Sequence, residues 1–328
     1  MSNSTEHRSS MDQCTEISSL CRVESTVLGY YPNLGAGIFF TVAFGTCLLA
    51  ALPLGISKKT WTYTTAMTIG LVLETAGCIG RILLHYNPWN QSAFELQICA
   101  IILAPTFICV SIYLTLKHVA LHLNPRLSRI PPRWYPRLFL PADLSCLIVQ
   151  AIGGAIAAAA GHTNPRLQRD GNRAIIAGVV LQVLVLAVFG LMAADYLLSA
   201  ARHMRGNDVV TAHELSLWRD PKFRKFVSGV TGAYAAVLIR CVYRIAEMAG
   251  GWGNKIMQDE PSFLVLDSSL ILVAVYLLTI FHPGIFFPQM AKGYCQRNDA
   301  AAVSDAESPE AKTNDAPDSS NEGPKDGV

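Results

Sequence analysis

Charge is what this chain has least of: only 15% of its 328 residues are Asp, Glu, Lys or Arg. A soluble domain carries charge on roughly a quarter of its residues, so the polar surface here is too small to coat a water-soluble globule. The net charge is +2, which gives no electrostatic footprint for nucleic acid. The nine cysteines include no C-x-x-C pair, which removes the usual zinc and iron–sulfur spacings. His118 and His122 stand four apart, but two ligands do not make a zinc site. No G-x-x-x-x-G-K-[ST], H-E-x-x-H or G-x-S-x-G occurs, so phosphate cradles, metallopeptidase helices and nucleophile elbows have no support. The sequence therefore predicts neither an enzyme nor a metal, and no cofactor.

What is abundant is apolarity, at 51% of the residues, gathered into long runs. A helix needs about 20 mostly apolar residues to cross ~30 Å of hydrocarbon. Seven segments qualify: Leu34 to Ile56, Thr62 to His85, Phe94 to His118, Leu138 to Gly161, Ala174 to Ala200, Phe226 to Gly250 and Phe263 to Phe287. Their length and continuity suit helices, because barrel strands would alternate over about 10 residues. The fold class predicted is all-α, a polytopic seven-helix membrane bundle over 34–287, between an N-terminal tail (1–33) and a C-terminal tail (288–328).

Loop charges predict the orientation, since Lys and Arg accumulate on the cytoplasmic side. The first loop carries Lys58 and Lys59, the third Arg126, Arg129, Arg133 and Arg137, and the fifth Arg202, Arg205, Arg219, Lys222, Arg224 and Lys225. The loop from Tyr86 to Ala93 has none, and the sixth has Lys255 alone. The fourth dissents with Arg166, Arg169 and Arg173. The N-terminus is expected outside and the C-terminus in the cytoplasm. That puts the sequons at Asn3 and Asn90 outside, where they are glycosylation candidates. The first 33 residues have no apolar core of a signal peptide, so the first helix is expected to direct insertion. Cys14 and Cys21 in that tail are either a small disulfide or two free thiols. Beyond Asn298 the composition is that of a disordered tail.

Charges within the hydrocarbon are costly, at least ~2.5–3.5 kcal/mol each, and normally face a partner or a cavity. The second segment holds Glu74 and Arg81, the fourth Asp143 and Gln150, and the fifth Gln182 and Asp195. The sixth holds Arg240, Arg244 and Glu247, and the seventh Asp267. Spacings of seven return to nearly one helix face, so this set is expected to converge on the interior, either as a substrate pathway or as polar glue between helices. Glu74 is expected opposite Arg240 and Arg81 opposite Glu247, with Arg244 between the two levels. Gly153, Gly154, Ala157 and Gly161, and Ser228, Gly232 and Ala236, form small faces suited to close packing. Pro105 and Pro283 each free a backbone carbonyl within a span.

These residues fall into an order that resembles the fungal lipid-translocating exporter family. The likeness rests on Tyr30-Tyr31-Pro32, Glu74-x-x-Gly77-x-x-Gly80-Arg81, Leu103-Ala104-Pro105 with Tyr113, and Phe139-x-x-x-Asp143 with Gln150 and Gly153-Gly154. It continues through Gly178 and Gln182, Arg240-x-x-Tyr243-Arg244-x-x-Glu247-x-x-Gly250, Glu260, Asp267 and His282-Pro283-Gly284. Cys78, Asn33 and Phe263 depart from the family's usual residues. The resemblance implies a plasma-membrane protein that moves, or confers resistance to, lipids and other amphiphilic molecules. The alternative is a seven-helix sensor of lipid stress; the sequence lacks D-R-Y after the third segment and N-P-x-x-Y in the seventh. The partners expected are the bilayer and an amphiphilic or lipid substrate.

Overall fold

The computed structural model describes residues 28–160, 164–206, 212–249, 256 and 258–286. Asn3, Cys14 and Cys21 lie outside the described residues, as does the tail beyond Phe286. Seven helical spans long and apolar enough to cross a membrane run Leu34–Ser57, Trp61–Tyr86, Gln91–Leu123, Trp134–Ala157, Arg166–Arg205, Pro221–Ala249 and Glu260–Phe286. The protein is thus an all-α, multi-pass integral membrane protein, and each predicted segment coincides with one span. Large apolar side chains such as Phe39, Leu49, Val72, Ile148, Leu191 and Ile239 stand exposed around the bundle, which suits hydrocarbon and not water.

The helices outrun the apolar runs, because a helix continues wherever caps and side chains permit, whether or not the surroundings are lipid. The fifth is the clearest case. Asn164 caps its first turn by accepting from the Leu167 amide, Pro165 occupies the first position, and the helix reaches Arg205. At 1.5 Å per residue its 41 residues extend about 60 Å, twice the hydrocarbon thickness. Arg166, Arg169 and Arg173, expected in a loop, sit on this extension. A short helix, Ala212–Arg219, precedes the sixth span.

The most extensive contacts join spans four and five, two and three, and one and two. Small residues explain the first of these. A Cβ added at Gly153 would stand 2.8 Å from the Gly171 carbonyl oxygen, and one at Gly171 only 2.6 Å from the Ala157 amide nitrogen. Backbones touch there, as the small face of span four predicted. Gly154, in contrast, meets nothing within 4 Å, and points away from the seam. In span six the residue pressed closest is Gly229, against the Phe281 ring, and Ser228 is exposed.

Span seven is interrupted twice. A π-helical turn runs Leu264–Ser269, where the Ser269 hydroxyl donates to the Leu264 carbonyl. The helix stops at Phe281, and Pro283 opens a last turn, Pro283–Phe286. Pro283 thus ends its helix instead of bending it, and Tyr63 of span two donates to the Leu278 carbonyl near the break (3.0 Å).

Candidate functional site

The polar residues gather in three groups. The first ties the chain before span one to spans two and seven. Asn33 caps span one through its side chain, which accepts from the Ala36 amide, while its own amide donates to Glu260 (2.8 Å). Glu260 also receives Arg81 of span two (2.6 Å), and Arg81 donates in turn to the Tyr30 hydroxyl (3.1 Å). The Arg81 guanidinium lies 4.5 Å from the centre of the Phe263 ring, within cation–π range. Burial pushes the Tyr30 phenol up from its ordinary pKa, with Arg81 opposing that shift, so Tyr30 stays neutral and free to accept. Gly29 reaches this turn at φ +72°, and a side chain there would strike Gln258. The Tyr30-Tyr31-Pro32 motif is completed by His85, whose Nδ1 lies 2.7 Å from the Pro32 carbonyl.

This corrects the expected pairing of Arg81 with Glu247. Glu260 takes Arg81 because the start of span seven lies against the end of span two, and Glu247 is engaged by Arg244 of its own helix (2.5 Å). Glu260 escaped the list of intramembrane charges because it stands just before the apolar run. The signal that could have found it was its place in the family motif.

The second group holds the middle level between spans two, three, six and seven. Arg240 pairs with Asp267 through its Nε (2.8 Å) and donates from a terminal nitrogen to the Ile101 carbonyl (2.8 Å). That carbonyl is available for a reason the sequence contains. Pro105 has no N–H to give to the residue four before it, so Ile101 needs another donor and Arg240 supplies one. Arg244 stands 3.6 Å from Asp267, which therefore serves two arginines. Glu74 is 4% exposed and lies within electrostatic reach of Arg240, Asp267 and Arg244. It makes no ion pair among the described residues, and its Oε1 is buried without a hydrogen-bond partner. The two glycines of its motif explain its position: Gly77 and Gly80 lie against Ile101, Ala93 and Gln97 of span three, which turns Glu74 and Arg81 toward spans six and seven.

The third group is neutral apart from one carboxylate. Gln150 of span four donates to Gln182 of span five (3.0 Å), and Gln182 to Thr106 of span three (3.3 Å). Tyr113 donates to Asp143 (2.7 Å) within a ring cluster of Tyr113, Phe139 and Phe189. Asp195 leaves the expected interior set: it holds exposed Arg129 of the third loop through both oxygens (2.7 and 3.0 Å). Asn90 caps span three by accepting from the Ala93 amide.

Between the second and third groups lies a narrow, partly open cleft bordered by spans three to six. Its walls are Ile102, Ile175, Val179, Val183 and Met248, and its polar side is Gln150, Gln182, Arg240 and Arg244. A second, smaller cleft is lined by Tyr30, Arg81, Gln97, Glu247 and Phe263, and Arg244 borders both. Apolar walls with a small set of fixed polar groups are the chemistry of an amphiphile site. Among the described residues no His, Cys, Asp and Glu group could hold a metal ion.

The chain is 29% identical over 283 residues to the sphingoid long-chain base transporter RSB1 of Saccharomyces cerevisiae, covering 79% of this chain and 74% of that one. It is 24% identical over 223 residues to protoporphyrin uptake protein 1 of the same yeast, covering 66% and 67%. It is 22% identical over 249 residues to a lipid-translocating exporter-like protein, RTA1, of Ajellomyces capsulatus, covering 74% and 75%. No solved structure matches. The family model described as RTA1 like protein matches residues 67–290, from span two past the end of span seven, and the chain belongs to that family of fungal lipid-translocating exporters.

Proposed function

We propose that this protein carries amphiphilic lipids or toxic amphiphiles across the bilayer, taking the apolar chain against the walls of the larger cleft and the headgroup against Gln150, Gln182, Arg240 and Arg244. The observation that carries this reading is the amphipathic lining of that cleft. The names of the relatives, a sphingoid long-chain base transporter and a lipid-translocating exporter-like protein, support it. Carriage makes and breaks no covalent bond, so the protein is not an enzyme on this reading. Asp267 and Glu247 hold Arg240 and Arg244 at the polar side. The test is reconstitution: vesicles containing the protein should change the leaflet distribution of a labelled long-chain base faster than empty vesicles. An unchanged distribution, with deletion cells still losing resistance, sinks the carrier reading.

In the same reading the carrier sits in the plasma membrane with Tyr30 and Glu260 outside and Lys58 inside, flanked by polar tails over 1–33 and 288–328. Span directions then put the larger cleft in the outer half of the bilayer. Orientation is tested separately. A cysteine replacing Arg219 should resist impermeant reagents in intact cells, and rapid labelling reverses the topology. Asn90 should accept a glycan, limited by its place at a helix cap beside the membrane.

A further inference from the structure

The polar side of the larger cleft is charged in one sign. Arg240 and Arg244 line it with Gln150 and Gln182, and no carboxylate does so among the described residues. The acidic residues that balance the arginines stand elsewhere: Asp267 lines neither cleft, and Glu247 lines the smaller one. A guanidinium has five N–H donors and no acceptor. Arg240 spends its Nε on Asp267 and its Nη2 on the Ile101 carbonyl, and Arg244 spends its Nη1 on Glu247. The Nε of Arg244 is 3.6 Å from Asp267, too far for a hydrogen bond. Arg240 Nη1 and Arg244 Nη2 have no acceptor among the described residues. Both side chains are more than nine-tenths buried.

We propose that this cleft selects amphiphiles with a small oxyanion head, a carboxylate or a phosphate monoester seated on Arg240 and Arg244, over those with an ammonium head. The choice rests on the carrier reading and names the substrate class of that carrier. Residues four apart on one helix share a face, so the two guanidiniums can serve one head. Their planar forks match the paired oxygens of a carboxylate or phosphate. An ammonium in the same place meets two like charges first, with the counter-charges behind them, and like charges brought together out of water repel strongly. The glutamines carry no charge and do not reverse this order; Gln150 donates to Gln182 and Gln182 to Thr106. Asp267 and Glu247 keep the surroundings near neutral, so the site suits one small anion held by aligned donors, and not a polyanion. Ile102, Ile175, Val179, Val183 and Met248 take the apolar chain, which a free anion lacks.

The test is competition on purified full-length protein in a neutral maltoside detergent. The probe is hexadecyl phosphate with a photoreactive group on its chain. The competitors are hexadecyl phosphate, palmitate, hexadecyltrimethylammonium and inorganic phosphate. The two anionic amphiphiles should compete at least about tenfold better than the ammonium, the worth of one hydrogen bond to a charged group. Inorganic phosphate should not compete at the same concentration, and the label should fall on the walls at Ile175, Val179 or Val183. Gln182→Glu places a carboxylate on the lining without losing a hydrogen bond, since Gln150 can still donate to it and the Thr106 hydroxyl can turn to donate. It should weaken anion binding at least about tenfold and let the ammonium compete. Arg244→Lys keeps a charge opposite Glu247 but loses the fork, and should weaken anion binding without admitting the ammonium. Gly154→Ala, where a Cβ meets nothing, should change neither.

An ammonium that competes as well as the anions overturns the inference, as does anion binding unmoved in a folded Gln182→Glu protein. Should that variant not fold, the order of competitors on the wild type decides alone. Inorganic phosphate competing as well as hexadecyl phosphate means a site for free anions and overturns the amphiphile reading of the cleft. Vesicles separate this choice from carriage itself. If a labelled long-chain base changes leaflet and hexadecyl phosphate does not, the carrier reading stands and the oxyanion preference falls. If hexadecyl phosphate labels the cleft but nothing moves, the preference stands and the carrier reading falls.

Discussion

The two sides of the larger cleft solve the same problem differently. Toward spans six and seven, the interior is held by full charges, each needing a counter-charge at a fixed place. Toward spans three, four and five it is held by amides, the Thr106 and Tyr113 hydroxyls, a single carboxyl group at Asp143 and a glycine seam. A mismatched charge in hydrocarbon strands its partner, whereas an amide that loses its neighbour loses one modest hydrogen bond. The first side is therefore sensitive to the loss of any one charge. The second can only loosen or tighten. A carrier built this way keeps its electrostatics on one wall and its rigidity on the other.

The sharpest way to break the comparison is at Arg240. Replacing it by Gln removes the nearer of Asp267's two arginines and the donor to the Ile101 carbonyl, and should lower stability by ~3–5 kcal/mol. Thermal unfolding in detergent checks it. Asp267→Asn should be comparably harmful, and an apolar pair at both positions should recover part of the loss. Glu74→Gln should cost little on the same assay, because no ion pair is removed. Strictly additive losses at Arg240 and Asp267, or a large loss at Glu74, would restore the simpler pairing of Glu74 with Arg240.

That simpler pairing shows where the sequence stops being legible. The seven spans were readable because hydrocarbon imposes a length and a composition that few soluble helices share. The identities of the buried charges were readable for the same reason. Their partners were not. Spacing fixes which residues share a face, but not which neighbouring helix that face meets. Span seven decided the matter twice: Glu260 stands outside the apolar run, and the π turn over Leu264–Ser269 carries Asp267, placing it between two arginines. One link was available in advance. Pro105 announces an unpaired carbonyl at Ile101, and in a membrane some donor must answer it.

At the mouth, Arg81→Gln should cost less than Arg240→Gln, about 1.5–3 kcal/mol, the usual worth of hydrogen bonds to a charged group. Glu260 is 18% exposed and can recover water. Unfolding measured beside Arg240→Gln ranks them, and an equal or larger loss at Arg81 would make the mouth as dry as the middle.

On the rigid wall the contrast lies between two glycines. Gly171→Ala forces a Cβ to within 2.6 Å of the Ala157 backbone nitrogen, where only a shift of one helix gives relief, so a loss of about 1–3 kcal/mol is expected. Gly154→Ala meets nothing and should lie within about 0.5 kcal/mol of the parent. Equal effects at the two sites would mean that spans four and five do not meet along this seam.

The smallest effect should come from the amide chain that crosses this wall. Gln150→Leu removes the donor to Gln182, and Gln182→Leu removes both that acceptor and the donor to Thr106. Hydrogen bonds between membrane helices average only about 0.6 kcal/mol in double-mutant cycles, because the separated helices also find partners. The coupling between these two positions should be of that size, well below the coupling of Arg240 with Asp267. Both glutamines border the cleft, so their loss should show instead in handling of the substrate: a lower apparent affinity for a labelled long-chain base, with the unfolding midpoint nearly fixed. A coupling as large as that of the buried ion pair would erase the difference between the two walls. An unchanged affinity would remove the amides from the headgroup side of the cleft and leave that role to the arginines alone.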